Sequence, residues 1–160
     1  MEFTSVAALA DNHVIGHNGD LPWESLPADK QQYRERVTGS PVILGRRTYE
    51  SMRMDLPGRR QIVLSRQKRV FGAESAIHAV DIDSAINMSR QTGANTVYIL
   101  GGAAIYSLFQ PHIDRMVLTR VPGVYQGDSY YPEWNEDAWT LISIEDYPGF
   151  TLEEWTRTRK

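Results

Sequence analysis

The sequence predicts an α/β fold, with a mostly parallel central sheet flanked by helices and a C-terminal antiparallel hairpin. Three observations predict it. Short apolar runs, Val42-Ile43-Leu44, Ile62-Val63-Leu64 and Val97 to Leu100, stop abruptly at glycine or polar residues, the pattern of strands buried on both faces. Helix-compatible segments lie between these runs, and such alternation favours parallel strands joined by right-handed crossovers. Beyond Met116 the helical segments end, and strand, turn and strand follow, with Pro148-Gly149 between the last two strands.

In chain order, Phe3 to Leu9 reads as a first buried strand and Ala10 to Asp20 as a loop containing Gly16 and Gly19. A helix begins at Pro27, whose missing amide donor costs nothing in a first turn. Counting by fours from Asp29 gives Tyr33 and Val37, so an acid leads the stripe expected to face inward, while Lys30, Gln31, Gln32 and Arg34 are expected in water. A carboxylate turned inward must find donors or become neutral. Taken by itself, Asp29 also reads as a first-turn acid that answers the helix dipole and caps free amides.

Pro41 to Leu44 is the next strand, ending at Gly45 before the helix-compatible Arg46 to Met52. Leu56-Pro57-Gly58 makes a turn, Ile62 to Leu64 is stopped by Ser65-Arg66, and Gln67 to Glu74 is a polar connection. A short strand over Ala76 to Val80 precedes a helix carrying Ile82, Ala85 and Ile86 that ends near Gly93. After Val97 to Leu100, Gly101-Gly102 leads into a short helix containing Ile105, Tyr106 and Phe109. Met116 to Val121, a turn at Gly127-Asp128, Trp139 to Ile144 and Phe150 to Trp155 complete the chain.

With 160 residues and no repeat, low-complexity tract or linker, residues 1–160 are expected to form one domain. The formal charge of -3 gives no electrostatic reason to expect nucleic acid or an anionic membrane as partner. The absence of cysteine excludes disulfides, thiolate zinc sites and cysteine nucleophiles. Neither a basic leader nor an apolar run long enough for a signal peptide or membrane span opens the chain, so a cytoplasmic protein is expected. His13, His17, His78 and His112 form no convincing ligand set, and no metal is expected. Trp134, Trp139 and Trp155 read as packing residues.

Two strand ends are suited to phosphate. Leu44-Gly45-Arg46-Arg47-Thr48 and Leu100-Gly101-Gly102-Ala103-Ala104 each place glycine between a buried strand and a helix, where free amides attract anions. The same glycines also serve a plain tight turn. Neither stretch matches the dinucleotide G-x-G-x-x-G fingerprint or the P-loop. Both strands end on the carboxyl edge of the sheet, where open α/β folds bind ligands, and Arg66 ends a third. Arg46, Arg47 and Arg66 are therefore candidates for a ribose phosphate, which would favour NADPH over NADH; read alone, they are equally solvated loop arginines.

The combination of Val6-Ala7-Ala8, Ile15-Gly16, Leu21-Pro22-Trp23, Pro27-Ala28-Asp29, Val42 to Arg46, Leu56 to Arg59, Leu100-Gly101-Gly102 with Ile105-Tyr106, and Gly127-Asp128 closely resembles dihydrofolate reductase over nearly the whole chain. The resemblance implies a dihydrofolate-reductase-like fold and an NADPH-dependent oxidoreductase of one-carbon metabolism that reduces 7,8-dihydrofolate to tetrahydrofolate. It assigns Asp29 as the acid that meets the pterin and assists its protonation, supported by Thr119. Val6, Ala7, Tyr33, Met52 and Leu100 would complete the substrate site, and Arg59 would clamp the glutamate carboxylate.

On the cofactor side the resemblance implies Ala8, Ile15, Gly16, Leu21, Gly45 and Gly101 to Tyr106, that is Gly101, Gly102, Ala103, Ala104, Ile105 and Tyr106. Arg46, Arg47 and Thr48 would meet the phosphates, with Ser65 and Arg66 at the adenosine 2′-phosphate. Ala104 stands where some relatives carry arginine, which shifts phosphate duty to Arg46, Arg47 and Arg66. Gly16 to Trp23 would form a lid partnered by Asp128. The implied small molecules are dihydrofolate and antifolates such as methotrexate, and a monomer is expected. Two rivals are an NADPH-dependent pyrimidine reductase of riboflavin synthesis, which has no need of the Asp29, Tyr33 and Arg59 set, and a non-catalytic nucleotide- or pterin-binding module.

Overall fold

The computed structural model describes residues 1–68 and 70–158. Ten strands and four α-helices are assigned among them: β1 (Glu2–Ala10), β2 (Val14–Gly16), α1 (Pro27–Val37), β3 (Pro41–Gly45), α2 (Arg46–Met52), β4 (Arg60–Leu64), β5 (Ala76–Ala79), α3 (Ile82–Gln91), β6 (Thr96–Ile99), α4 (Ala103–Phe109), β7 (Arg115–Val121), β8 (Ser129–Tyr130), β9 (Trp139–Tyr147) and β10 (Phe150–Arg157). The main sheet has the order β5-β4-β3-β6-β1-β7-β10-β9. Its strands are parallel from β5 through β7, and only β10 runs against the rest, pairing antiparallel with both β7 and β9. The expected α/β architecture is therefore present, with the hairpin closing one edge.

The loop expected over Ala10 to Asp20 is corrected. Val14–Gly16 forms β2 and pairs antiparallel with β8 in a separate two-stranded sheet. Three residues carry too little periodicity to announce a strand, and the partner lies far along the chain.

β1 shows how the sheet divides the core. Successive side chains leave opposite faces, so Phe3, Ala7 and Leu9 join Ile43, Ala85, Ile105 and Phe109 on one side. Val6 joins Val37, Leu44, Tyr49 and Leu152 on the other. α3 is capped as its sequence suggests, the Asp81 carboxylate accepting from the Ser84 amide at 2.8 Å. α1 is different. No side chain caps it, and Val37 is its one buried residue, so a mostly polar helix must be held to the sheet by something besides apolar burial.

Candidate active site

α1 lies over the face of the sheet that carries Val6, Val117, Thr119 and Leu152. The parallel register sets Ala8 of β1 beside Thr119 of β7, and the antiparallel register sets Leu152 of β10 on its other side. Thr119 is 2% exposed and donates its hydroxyl to Asp29 Oδ1. The same oxygen accepts from Gln32 Nε2 at 2.9 Å. With no side-chain cap on α1, Asp29 is not the capping acid that a first-turn position also suggests; its carboxylate is spent on the sheet.

Around it, Val6 and Leu100 are buried in one cluster, and Tyr33 and Met52 pack against that cluster. The Tyr33 hydroxyl reaches Met52 Sδ at 4.0 Å, and burial pushes its phenol up to about 12. Ala7 alternates to the opposite face, beside Ile105 and Tyr106. Arg59 follows a turn whose Gly58 has φ +73°, a conformation suited to glycine. Its amide is tied to the Ser40 carbonyl at 2.8 Å, while its side chain is exposed and makes no ion pair among the described residues.

A cleft of about 1220 Å³ opens at the carboxyl ends of β3 and β4 and the start of α4. Gly45, Arg46, Arg47, Thr48, Ser65, Arg66, Gly102, Ala103, Ala104 and Ile105 line it. The two glycine turns are joined directly, the Gly45 amide donating to the Gly101 carbonyl at 2.8 Å. Gly101 has φ +100°, and a Cβ there would stand 2.7 Å from the Tyr106 ring. That ring is fixed from beneath by its hydroxyl, which donates to the Val6 carbonyl at 2.7 Å, and burial pushes the phenol well up. At Gly102 a Cβ would meet only Thr48 Oγ1, at 3.6 Å, leaving the wall open.

The three candidate arginines are not equivalent. Arg46 turns to Glu50, one helical turn on, at 3.0 Å, so its charge is already answered. Arg47 and Arg66 are exposed and make no ion pair among the described residues. Leu21 is 51% exposed and does not line the cleft. Ala8 packs with the Val14, Trp23 and Val121 cluster, and Ile15 packs against the larger core.

The segment read as a lid is latched. Asp128 Oδ2 accepts from the Asn18 amide at 3.0 Å, and the Asp128 amide donates to the Gly16 carbonyl at 3.0 Å. The Asn18 hydrogen bond is the chief cause that holds the Asp128 carboxyl below its usual range. Sequence reasoning missed four further features of this region. Asn18 and Ser129 line the cleft; His78 donates from Nε2 to the Ser65 carbonyl at 2.8 Å, bracing the turn that presents Arg66; and Gln32, expected in water, is half-buried on Asp29. Only Gln32 had a readable signal, its position three residues after Asp29 on one helix face.

The dihydrofolate reductase family model matches residues 2–154. Among curated proteins, the chain is 35% identical to dihydrofolate reductase HdrB of Haloferax volcanii over 98% of this chain and 84% of that one. It is 36% identical to dihydrofolate reductase of Haemophilus influenzae, over 92% and 88% of the two chains. It is 34% identical to dihydrofolate reductase type 3 of Salmonella typhimurium, over 93% and 90%.

Proposed function

The chain belongs to the dihydrofolate reductase family, and from that premise we propose that Asp29 is the acid on which its reaction turns and that NADPH is its reductant. The protein is an oxidoreductase that reduces 7,8-dihydrofolate to tetrahydrofolate with a nicotinamide cofactor. Dihydrofolate and antifolates are the small molecules the family binds. No helix among the described residues is long and apolar enough to cross a membrane.

One observation carries the proposal for Asp29: its carboxylate is drawn off its own helix end and held by Thr119 over the middle of the sheet. Hydride does not readily enter a neutral imine carbon, and protonating the adjacent nitrogen makes that carbon electrophilic. A fixed carboxylate that accepts from a ring amide and an exocyclic amine orients the pterin for that protonation. Val6, Tyr33, Met52 and Leu100 give the ring an apolar wall from which water is displaced. Arg59, exposed and without a competing carboxylate among the described residues, offers a planar fork to the substrate's glutamate tail.

The donor set of the large cleft fits NADPH. Gly102, without a Cβ, lets a diphosphate approach the backbone, Thr48 offers a hydroxyl, and Arg47 offers a charge unanswered among the described residues. Ser65 and Arg66 suit the adenosine 2′-phosphate, and a phosphate that reaches Arg46 must compete with Glu50. When bound, NADPH supplies the hydride that, with one proton at the adjacent nitrogen, converts the imine to a secondary amine and leaves NADP+. The Asn18 to Asp128 latch ties the neighbouring loop to the residue that precedes β8, and a loop so held would serve as a lid over bound ligands.

The test is Asp29→Asn, assayed at 340 nm with NADPH and saturating dihydrofolate. The variant is expected to fold and to lose most turnover near neutral pH; near-normal turnover removes Asp29 from the mechanism. Methotrexate is expected to abolish the wild-type rate in the same assay.

A further inference from the structure

α1 carries three polar residues along one ridge, Asp29, Gln32 and Arg36, spaced so that each sits beside the next. Gln32 Nε2 donates to Asp29 Oδ1 at 2.9 Å, and Arg36 Nε donates to Gln32 Oε1 at 3.3 Å. Arg36 does not hang free. Its Nη1 reaches Glu154 Oε1 on β10 at 3.3 Å, and the other Glu154 oxygen takes Arg115 Nη1 from β7 at 3.4 Å. Arg115 in turn faces Glu2 Oε1 of β1 at 3.5 Å. Five side chains from four elements thus form one chain that ends on the acid.

The chemistry of the chain fixes its direction. A guanidinium only donates, so the amide of Gln32 must turn its oxygen to Arg36 and its NH2 to Asp29. Thr119 donates to the same Oδ1. Two donors satisfy the lone pairs of that oxygen, while Oδ2 makes no hydrogen bond among the described residues. The chain is also shielded: the Arg36 and Glu154 side chains are 25% and 23% exposed, so the link is firmer than a fully solvated pair.

We propose that Gln32, locked by the Arg36–Glu154 pair, is a positioning residue for Asp29, setting the plane of its carboxylate so that Oδ2 is the oxygen held open for the pterin. The inference rests on the reading of Asp29 given above and goes beyond it. It also explains why a helix with so little apolar surface lies firmly on the sheet: the polar chain that orients the acid ties α1 to β7 and β10.

The experiment measures kcat and KM for dihydrofolate and for NADPH in Gln32→Met, Gln32→Glu and Arg36→Met. Gln32→Met keeps side-chain length and helix preference and removes the donor. It is expected to lower kcat/KM for dihydrofolate about tenfold, within the range for losing a hydrogen bond to a charged group, with the KM for NADPH unchanged. Gln32→Glu keeps the partner of Arg36 but sets a like charge against Asp29, and is expected to lose more than Gln32→Met. Arg36→Met frees the amide to turn and is expected to cost less. In an Asp29→Asn background, Gln32→Met is expected to change the residual rate less than twofold, because a residue acting through Asp29 has nothing left to orient.

Unchanged dihydrofolate kinetics in Gln32→Met, with Asp29→Asn inactive, overturns the positioning role and leaves Asp29 standing. An equal loss against both substrates, or full additivity with Asp29→Asn, overturns it as a general structural effect. A fully active Asp29→Asn defeats the earlier reading instead.

Discussion

Replacing Thr119 with valine isolates one hydroxyl. Thr119 is 2% exposed in β7, held between Ala8 and Leu152, and its side chain points at Asp29 Oδ1. Valine keeps the branched shape that suits a strand, so β7 should survive while the donor vanishes. A hydrogen bond to a charged group is worth about 1.5–3 kcal/mol, and each ~1.4 kcal/mol is a factor of ten. Asp29 is only half-buried and retains Gln32, so the low end applies. The expected loss in kcat/KM for dihydrofolate is therefore roughly tenfold. Initial rates at 340 nm across a dihydrofolate series measure it, with Thr119→Ser as the partner variant that keeps the hydroxyl and drops the methyl. If Val and Ser lose equally, packing and not the hydroxyl supports the acid; if Val retains more than half of wild-type kcat/KM, the support does not exist.

Arg66→Ala is expected to raise the KM for NADPH at least tenfold while barely changing that for NADH, because the contact proposed for Arg66 serves a phosphate only NADPH carries; equal losses place the phosphate elsewhere. Tyr33→Phe is expected to soften the alkaline loss of stability. Burial raises the Tyr33 phenol from 10.0 to about 12, so the folded state binds that proton more tightly, and the stabilisation is complete below pH 10 and lost as pH rises through about 12. That rise corresponds to about 3 kcal/mol, read as the difference in unfolding free energy from urea titrations at the two pH values. Gly101→Ala forces a left-handed conformation at φ +100° and sets a methyl 2.7 Å from a ring that its hydroxyl holds in place. Conformational strain of about 1–2 kcal/mol and overpacking of about 1–3 kcal/mol predict a melting temperature lower by roughly 5–15 °C; an unchanged one would show that the ring yields.

What the chain discloses in one dimension depends on how far away the partners of each residue lie. The central strands are legible because burial on both faces writes itself as contiguous Val, Ile and Leu, as in Val42 to Leu44 and Ile62 to Leu64. β2 and β8 are not, since pairs of three and two residues gain their meaning only from each other. Arg46 illustrates an intermediate case: position i+4 already sets Glu50 within its reach, so the sequence carries the information that this arginine is partly answered.

Asp29 stands out locally because a carboxylate on an inward stripe conflicts with the pattern around it. Its supporters do not. Thr119 is an ordinary strand residue, Gln32 reads as a helix residue in water whose one local hint is its place three residues after Asp29, and Arg36 gains its partner only when β10 brings Glu154 against it from 118 positions away. A half-buried acid must be compensated, and compensation drawn from distant strands leaves no mark in the helix that carries the acid. Local pattern therefore exposes the acid, whereas most of the residues that hold it become visible only when the sheet sets their partners side by side.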